Sequence, residues 1–132
     1  MHTIYTDGAS RGNPGASGAG GVIFGPGGNE ILAEIKEYLG ITTNNVAEYT
    51  AVKLTLERAL ALGLTEVEVH CDSKLVVEQI TGRWKINNPV LKEINNEIKQ
   101  MLPNFGIITF KHIYRNLNAY ADRLANEAIN NN

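Results

Sequence analysis

The sequence predicts an α/β fold in which helices pack on a five-stranded mixed sheet. Three strand-like segments separated by turn residues come first, and helical periodicity then alternates with two further strand-like segments. A hairpin followed by alternating helices and strands is typical of a mixed sheet covered by helices. No repeat or linker interrupts this pattern, so we expect one domain over residues 1–132, with residues 130–132 as a frayed tail.

The strands are predicted from β-branched and aromatic residues that lie between turn signals. Residues 2–7 form the first strand, and the glycine-rich segment 8–15 after it is predicted to be a loop. The turn residues of segment 25–29 predict a hairpin between the second and third strands. The five predicted strands cover residues 2–7, 19–25, 30–38, 66–71 and 107–113.

The helices are predicted from apolar residues at helical spacing and from capping residues. The longest has Thr43 or Asn44 as its N-cap and Gly63 as its stop signal. In the last helix, Leu117 and the apolar residues that follow it at helical spacing are predicted to face the core. The four predicted helices cover residues 43–62, 74–81, 89–102 and 117–130.

Composition restricts the class of protein but does not indicate a substrate. The chain is 43% hydrophobic, which suffices for one core, yet no apolar run reaches the roughly 18 residues that a membrane span needs. A single cysteine, Cys71, excludes an internal disulfide, and the N-terminal residues do not resemble a signal peptide, so we expect a cytoplasmic protein. A net charge of −2 is not typical of a nucleic-acid-binding domain, and a monomer is the default expectation.

Four acidic residues occupy positions from which they could meet at one end of the sheet. Asp7 and Asp72 end the first and fourth predicted strands. Ligands of α/β sheets gather beyond the carboxyl ends of parallel strands, so these two carboxylates share a crevice if their strands are neighbours. Glu48 lies on the inward face of the long helix and Asp122 flanks the apolar stripe of the last helix, each in the first turns.

A cluster of carboxylates needs protons or cations to balance its charge. Ligands that are all oxygen favour Mg²⁺ or Mn²⁺ over zinc, and carboxylates that hold two such ions are a common device for phosphodiester cleavage. Each acid also has an ordinary structural interpretation: a turn residue for Asp7, a core ion pair for Glu48, a helix cap for Asp72 and an arginine partner for Asp122. The spacing alone leaves both interpretations open.

Four segments resemble the motifs of type 1 ribonucleases H and occur in the order of that family. They are Tyr5–Gly15, Thr42–Tyr49, His70–Val77 and Arg115–Asp122. The resemblance covers nearly the whole chain and implies the ribonuclease H-like fold, a five-stranded mixed sheet flanked by helices on both faces. It also implies an endonuclease that hydrolyses the RNA strand of an RNA–DNA hybrid and leaves 5′-phosphate and 3′-hydroxyl ends.

The same resemblance implies roles for individual residues. The acidic quartet of the family corresponds to Asp7, Glu48, Asp72 and Asp122, which by this resemblance bind two Mg²⁺ or Mn²⁺ ions during catalysis. Amide and hydroxyl side chains can bond phosphates and the 2′-hydroxyl that distinguishes RNA from DNA. The residues that match hybrid-binding positions are Ser10, Asn13, Thr43, Asn44 and Asn45.

The chain departs from many family members at two places. Residues 82–88 hold only Arg83 and Lys85 where many members carry a basic insertion, as in the compact archaeal and some bacterial forms. We therefore expect weaker substrate binding and a steeper penalty from salt. A gapless count places His112 at the family's mobile histidine, but the local sequence matches the compact branch, so we favour Arg115 as the assisting residue. An arginine cannot shuttle protons near neutral pH and would stabilise charge on the phosphate instead.

Three alternatives to hybrid cleavage follow from the sequence. Cleavage of double-stranded RNA is a further activity that the compact branch makes relevant. A DNA strand-transfer role is disfavoured because 132 residues leave no room for additional domains. A catalytically silent nucleic-acid-binding module would bind hybrid equally well in chelator and never cut it, and the complete acidic quartet argues against such a module.

Overall fold

The computed structural model describes residues 1–132 and contains five strands and four α-helices. Short 3₁₀ turns at Leu102–Asn104 and Arg115–Leu117 precede the last strand and the last helix. In chain order the elements are β1 (His2–Gly12), β2 (Gly15–Phe24), β3 (Ile31–Thr42), α1 (Asn44–Ala61), β4 (Glu66–Cys71), α2 (Lys74–Ile80), α3 (Pro89–Met101), β5 (Ile107–His112) and α4 (Ala119–Asn130).

The strands form one mixed sheet in the order β3-β2-β1-β4-β5. β1, β2 and β3 pair antiparallel, whereas β4 pairs parallel with both β1 and β5. The predicted mixed sheet is therefore confirmed, as is the hairpin between β2 and β3. β1 and β4 are neighbours, which was the condition for Asp7 and Asp72 to share a crevice.

The predicted loop over residues 8–15 was wrong, because most of that segment belongs to strands. β1 and β2 stay paired from Thr3 opposite Phe24 to Gly12 opposite Gly15, so only residues 13 and 14 turn the chain. Glycine and serine are typical of turns when residues are read singly, but a paired strand can stabilise the same residues as strand. The third strand likewise continues to Thr42, beyond its predicted end at residue 38.

Helices cover both faces of the sheet, as the resemblance implied. A Cβ on Gly20 would lie 2.3 Å from the carbonyl oxygen of Ala121 in α4, and a Cβ on Gly21 would lie 2.0 Å from Oγ1 of Thr55 in α1. Adjacent residues of a strand point to opposite faces, so α1 and α4 pack on opposite sides of β2. The absence of side chains here lets both helices approach closely.

The helix ends agree with their predicted capping residues. Thr43 is the N-cap of α1, and its hydroxyl accepts a hydrogen bond from the N–H of Val46. Gly63 follows the C-cap with a φ of +78°. Asn130 belongs to α4, and the N–H of Asn131 donates to the carbonyl of Glu127 at 2.9 Å. The frayed tail stays a prediction.

The core lies mainly between the sheet and the α1, α2 and α3 helices. Leu117 was predicted to face inward but is 61% exposed. The reason is that α4 begins at Ala119, so Leu117 lies in the preceding 3₁₀ turn and off the helical stripe. None of the helices combines the length and the hydropathy required to cross a membrane. The predicted inward residues of α4 that are buried are Ala121, Leu124, Ala125, Ala128 and Ile129.

Candidate active site

Asp7 and Asp72 lie directly beyond the last pair of residues in the parallel β1–β4 ladder. That pair is Thr6 and Cys71. β4 ends there, and the chain turns through Asp72 into α2, which the Ser73 side chain caps. β1 continues beside β2 alone, so the sheet opens at Asp7. Asp7 does not end its strand as predicted, because β1 continues beside β2 to Gly12. Asp72 follows the carboxyl end of β4, so the two carboxylates share the opening where the parallel pairing ends, a place where α/β sheets bind ligands.

Glu48 reaches the same position because α1 begins very close to β1. A Cβ on Gly8 would lie 2.3 Å from the carbonyl carbon of Ala47 and from the backbone nitrogen of Glu48. Only glycine allows this approach. The N–H of Gly8 donates to Oδ1 of Asp7 and to Oε1 of Glu48, each at 2.9 Å. One backbone donor thus holds the two carboxylates side by side.

The structure brings all four predicted acids together. Asp7, Glu48 and Asp72 each offer a carboxylate oxygen, and these oxygens lie within 4.8 Å of one another. Asp122, in the first turn of α4, lines the same cavity of about 410 Å³. Its Oδ1 accepts a hydrogen bond from Nδ2 of Asn126 at 3.3 Å. The cluster therefore depends on four elements, β1, α1, β4 and α4.

Burial and mutual repulsion make full ionisation of this cluster unfavourable. Asp7 and Glu48 are each only 4% exposed. Burial raises the pKa of Asp7, and the hydrogen bond and charge of Glu48, with the charge of Asp72, raise it further. Burial also raises the pKa of Glu48, although hydrogen bonds from Asp7 and from the N–H of Gly8 oppose the change. The pair retains a proton at neutral pH unless a cation balances its charge.

The residues present fit a hard divalent cation. Oε2 of Glu48 is buried and has no hydrogen-bond partner, although buried carboxylate oxygens are normally bonded. A cation among the three carboxylates would satisfy this oxygen and balance the repulsion. The donor set consists of carboxylate oxygens without histidine or cysteine, which suits Mg²⁺ or Mn²⁺ better than zinc.

Arg115 and His112 differ in their relation to the cavity. Arg115 lines it, and the positive charge of its guanidinium lowers the pKa of Glu48. His112 ends β5, is exposed, and packs edge-to-face on Tyr114 with 6.1 Å between ring centroids. It is not among the residues that line the cavity. Of the two rivals, the arginine is the one whose side chain lies close to the carboxylates.

The residues predicted to bind substrate lie at one edge of the cavity, around the start of α1. Ser10 and Asn44 line it directly. Oδ1 of Asn13 accepts a hydrogen bond from the N–H of Asn44 at 3.0 Å, and Thr43 caps the helix. These two side chains therefore have a structural task within the apo protein, whereas Asn44 and Asn45 have exposed side chains.

Sequence reasoning assigned no role to Asn118, which bonds one carboxylate of the site. Its side chain is 1% exposed, and Nδ2 donates to the carbonyl of Thr6 at 2.8 Å and to Oδ2 of Asp72 at 3.1 Å. It thereby ties the start of α4 to β1 and orients one carboxylate. The only sequence signal was its position four residues before Asp122, which says nothing about a contact across the sheet.

The sheet order, the helices on both faces and the acidic cluster define a ribonuclease H-like domain, and comparisons with known proteins agree. The family described as reverse transcriptase-like matches residues 5–128. A ribonuclease H of Clostridium botulinum is 34% identical over an alignment of 143 positions, which covers 96% of this chain and 93% of that protein. The chain belongs to the ribonuclease H family.

Two other proteins are more similar in sequence to this chain. The bifunctional protein Rv2228c of Mycobacterium tuberculosis is 45% identical over 126 residues, which cover 96% of this chain and 35% of that protein. The chain thus spans about a third of the length of this relative. The crystal structure of LC11-RNase H1 in complex with an RNA/DNA hybrid is 43% identical with a TM-score of 0.93, and the match covers 99% of this chain and 98% of that one.

Proposed function

We propose that this chain is an endoribonuclease that hydrolyses the RNA strand of RNA–DNA hybrids and leaves 5′-phosphate and 3′-hydroxyl ends. The observation that carries the proposal is the cluster of Asp7, Glu48 and Asp72, whose oxygens lie within 4.8 Å of one another where the parallel pairing of β1 and β4 ends. Asp122 and Arg115 line the same cavity. The similarity to a ribonuclease H1 that was solved with an RNA/DNA hybrid supports the choice of substrate.

The proposed cofactor is Mg²⁺ or Mn²⁺, with two ions present during catalysis. Asp7, Glu48 and Asp72 would hold the first ion, and Asp122 would complete the set that holds the pair. When bound, such ions generate a hydroxide nucleophile from water and stabilise the leaving oxygen. The raised pKa values of Asp7 and Glu48 and the unpaired Oε2 of Glu48 support a cation at this place.

The residues around the carboxylates prepare the cavity for a phosphodiester. The N–H of Gly8 orients Asp7 and Glu48, and Asn118 orients Asp72. The guanidinium of Arg115 can donate hydrogen bonds to a phosphate, so it would stabilise the charge that develops there. None of these roles requires Arg115 to exchange a proton.

The contact surface for the hybrid is proposed to include the start of α1. The exposed amides of Asn44 and Asn45 can donate to phosphates and to 2′-hydroxyl groups, and Ser10 adds a hydroxyl at the cavity edge. Asn13 and Thr43 would add contacts from side chains that already fix the backbone of this edge. The cytoplasmic location and the monomeric state stay predictions from the sequence.

The test is cleavage of a labelled RNA–DNA hybrid by the purified protein with Mg²⁺, with Mn²⁺ and with chelator. An RNA duplex and a DNA duplex serve as parallel substrates, and Asp7→Asn serves as the inactive control. Metal-dependent cutting of the RNA strand of the hybrid is the expected result. Cutting of the RNA duplex as well would add the broader activity. A folded protein that binds hybrid in chelator and never cuts would instead be a silent binding module.

A further inference from the structure

Three polar side chains form a hydrogen-bonded triad in the interior between α1, α2 and α3. The hydroxyl of Tyr49 donates to Oε1 of Gln79 at 2.8 Å and accepts from Nδ2 of Asn95 at 3.4 Å. Tyr49 is fully buried, Asn95 is 2% exposed and Gln79 is 7% exposed. Each residue comes from a different helix, so the triad links the helix that carries Glu48 to both helices beside it.

The triad also reaches the segment 82–88, here called the α2–α3 connector. Nε2 of Gln79 donates to the carbonyl oxygen of Lys85 at 3.1 Å. The start of the connector is held by backbone bonds from Arg83 and Trp84 to the carbonyl of Glu78. The middle of the connector has only the Gln79 bond and the partly buried side chain of Ile86 to fix it. Gln79 is therefore the polar anchor of the connector's midpoint.

The connector exposes cationic and aromatic side chains, which are the kinds that bind nucleic acids. Arg83, Trp84 and Lys85 are exposed, and the chain around them is acidic overall. Arg83 forms an ion pair with Glu78, with Nε and Oε2 at 2.8 Å, so Lys85 is the cation of the connector without such a partner. The ammonium of Lys74 lies 6.0 Å from the centre of the Trp84 ring. Because Lys74 begins α2 two residues after Asp72, this contact brings the Trp84 ring near the end of α2 that follows Asp72. Cationic side chains can bind the phosphate backbone of a nucleic acid, and an aromatic ring can stack on its bases.

Packing alone does not require a polar triad at this place. Apolar side chains of similar volume can also fill a helix interface, and a typical neutral hydrogen bond adds only a small net stability. What directional bonds add is a single relative position of the groups they join. Here that position relates the connector to α1, which holds Glu48 and begins with the proposed substrate-binding asparagines.

We propose that Gln79 is a positioning residue that holds the α2–α3 connector through its bonds to Tyr49 and to the Lys85 carbonyl. In that position, the cations and Trp84 of the connector meet the phosphate backbone of a hybrid bound in the carboxylate cavity. The inference rests on the proposed function for its substrate. It goes beyond that function because it concerns how a connector of seven residues, 82–88, is held in place.

The experiment compares Gln79→Met with wild type in the full chain. Methionine has a similar length and flexibility but cannot bond Tyr49 or the Lys85 carbonyl. We expect the KM for a hybrid to rise by about two- to tenfold, the range typical of one lost hydrogen bond, with kcat little changed. Thr81→Val is the matched control, because it removes the bonds from the Thr81 hydroxyl to the carbonyls of Val77 at 2.7 Å and Glu78 at 3.3 Å and leaves the bonds of the Gln79 side chain in place.

A second comparison separates positioning from general stability. In a chain that already carries Arg83→Ala, Trp84→Ala and Lys85→Ala, the Gln79→Met change should raise KM no further, since the side chains that it positions are gone. Equal increases in both backgrounds would overturn the proposal, and so would an unchanged KM in the wild-type background.

A third measurement keeps the test independent of cleavage. Amide hydrogen exchange over residues 83–88 should accelerate in Gln79→Met and not in Thr81→Val, while exchange in β1 stays the same. Unchanged exchange in the connector would overturn the inference even if the protein cuts hybrids. If wild type does not cut but the connector does loosen in Gln79→Met, the proposed function fails and the anchoring role of Gln79 stands, with its effect then sought in hybrid affinity by fluorescence anisotropy.

Discussion

Asp7 and Glu48 are held by the same backbone N–H, that of Gly8, at 2.9 Å each. The two carboxylates come from a strand and a helix, and the shared donor Gly8 is 40 residues from Glu48 in the chain. Their juxtaposition concentrates negative charge in a buried place and leaves Oε2 of Glu48 unpaired. This arrangement is unfavourable without a cation and favourable with one. The carboxylates are therefore the first residues to mutate.

Asp7→Asn should abolish cleavage without preventing folding. Asparagine keeps the size of the side chain and can still accept the Gly8 N–H bond, but it removes a charge that the cation needs. We expect the rate to fall by more than about a hundredfold, which is the upper end for the loss of a residue that only orients a metal ligand. Steady-state cleavage with Mg²⁺ measures this, with circular dichroism to check the fold. Full activity in the variant would contradict the metal assignment.

The stability of the metal-free protein should depend on pH through Asp7. Burial raises the pKa of Asp7 in the folded state above its ordinary value of 3.8, so between these two values the folded protein holds a proton that the unfolded chain has lost. This contribution to stability is complete below 3.8 and declines as the pH rises toward the folded-state pKa.

Urea unfolding in chelator, from about pH 5 to about pH 8, measures this effect against Asp7→Asn. The wild-type free energy of unfolding should fall relative to that of the variant as the pH rises. Added Mg²⁺ should reduce the difference because it stabilises the ionised carboxylates. Parallel curves for the two proteins in chelator would show that Asp7 ionises normally in the fold.

Arg115→Ala should lower cleavage, whereas His112→Ala should leave it near the wild-type level. The loss expected for removing one donor that stabilises developing charge is about a hundred- to a thousandfold in kcat. Arg115→Lys should restore part of it, since a point charge replaces the planar fork. The pH–rate profile of Arg115→Ala should change in height rather than gain or lose a titration belonging to Arg115. A larger loss in His112→Ala than in Arg115→Ala would reverse the assignment.

Gly8→Ala should destabilise the protein and disturb the site together. The new methyl would lie 2.3 Å from backbone atoms of Ala47 and Glu48, so α1 must move away from β1. Overpacking of this kind costs about 1–3 kcal/mol. Gly27→Ala is the matched control, because a methyl there meets no atom within 4 Å. Urea midpoints and cleavage rates for both variants measure the effect, and equal stability of the two variants would contradict the close approach.

Asn118→Ala should weaken both the fold and the binding of the cation. The change leaves the buried carbonyl of Thr6 without its donor, a loss of about 1–3 kcal/mol. It also frees Asp72 to rotate, and the loss of such an orienting partner costs about ten- to a hundredfold in metal affinity. Isothermal titration with Mg²⁺ measures the second effect. Asn116→Ala, an exposed asparagine in the same turn, is the control, and equal metal affinity in the two variants would exclude the orienting role.

A helix or strand boundary could be predicted from the sequence where the residue at that boundary itself causes it. Thr43 caps α1 through its own hydroxyl and Gly63 accepts a positive φ, so both ends of that helix could be predicted. Leu117 and the segment 8–15 could not be predicted correctly, because their states depend on where a neighbouring element ends and on which strand pairs with them. Turn residues do not reveal that a partner strand is present.

The class of fold, the four acids and their family could be inferred from the chain before folding was considered, because strand and helix periods, caps and ordered motifs are properties of consecutive residues. Three features required the folded structure: Gly8 supplies the shared donor, Arg115 rather than His112 lines the cavity, and Asn118 holds Asp72. The bonds that Tyr49 forms with Gln79 and Asn95 required it as well. These contacts join residues up to 46 positions apart, and they depend on distances of a few ångströms that sheet order and helix packing set after the local elements have formed.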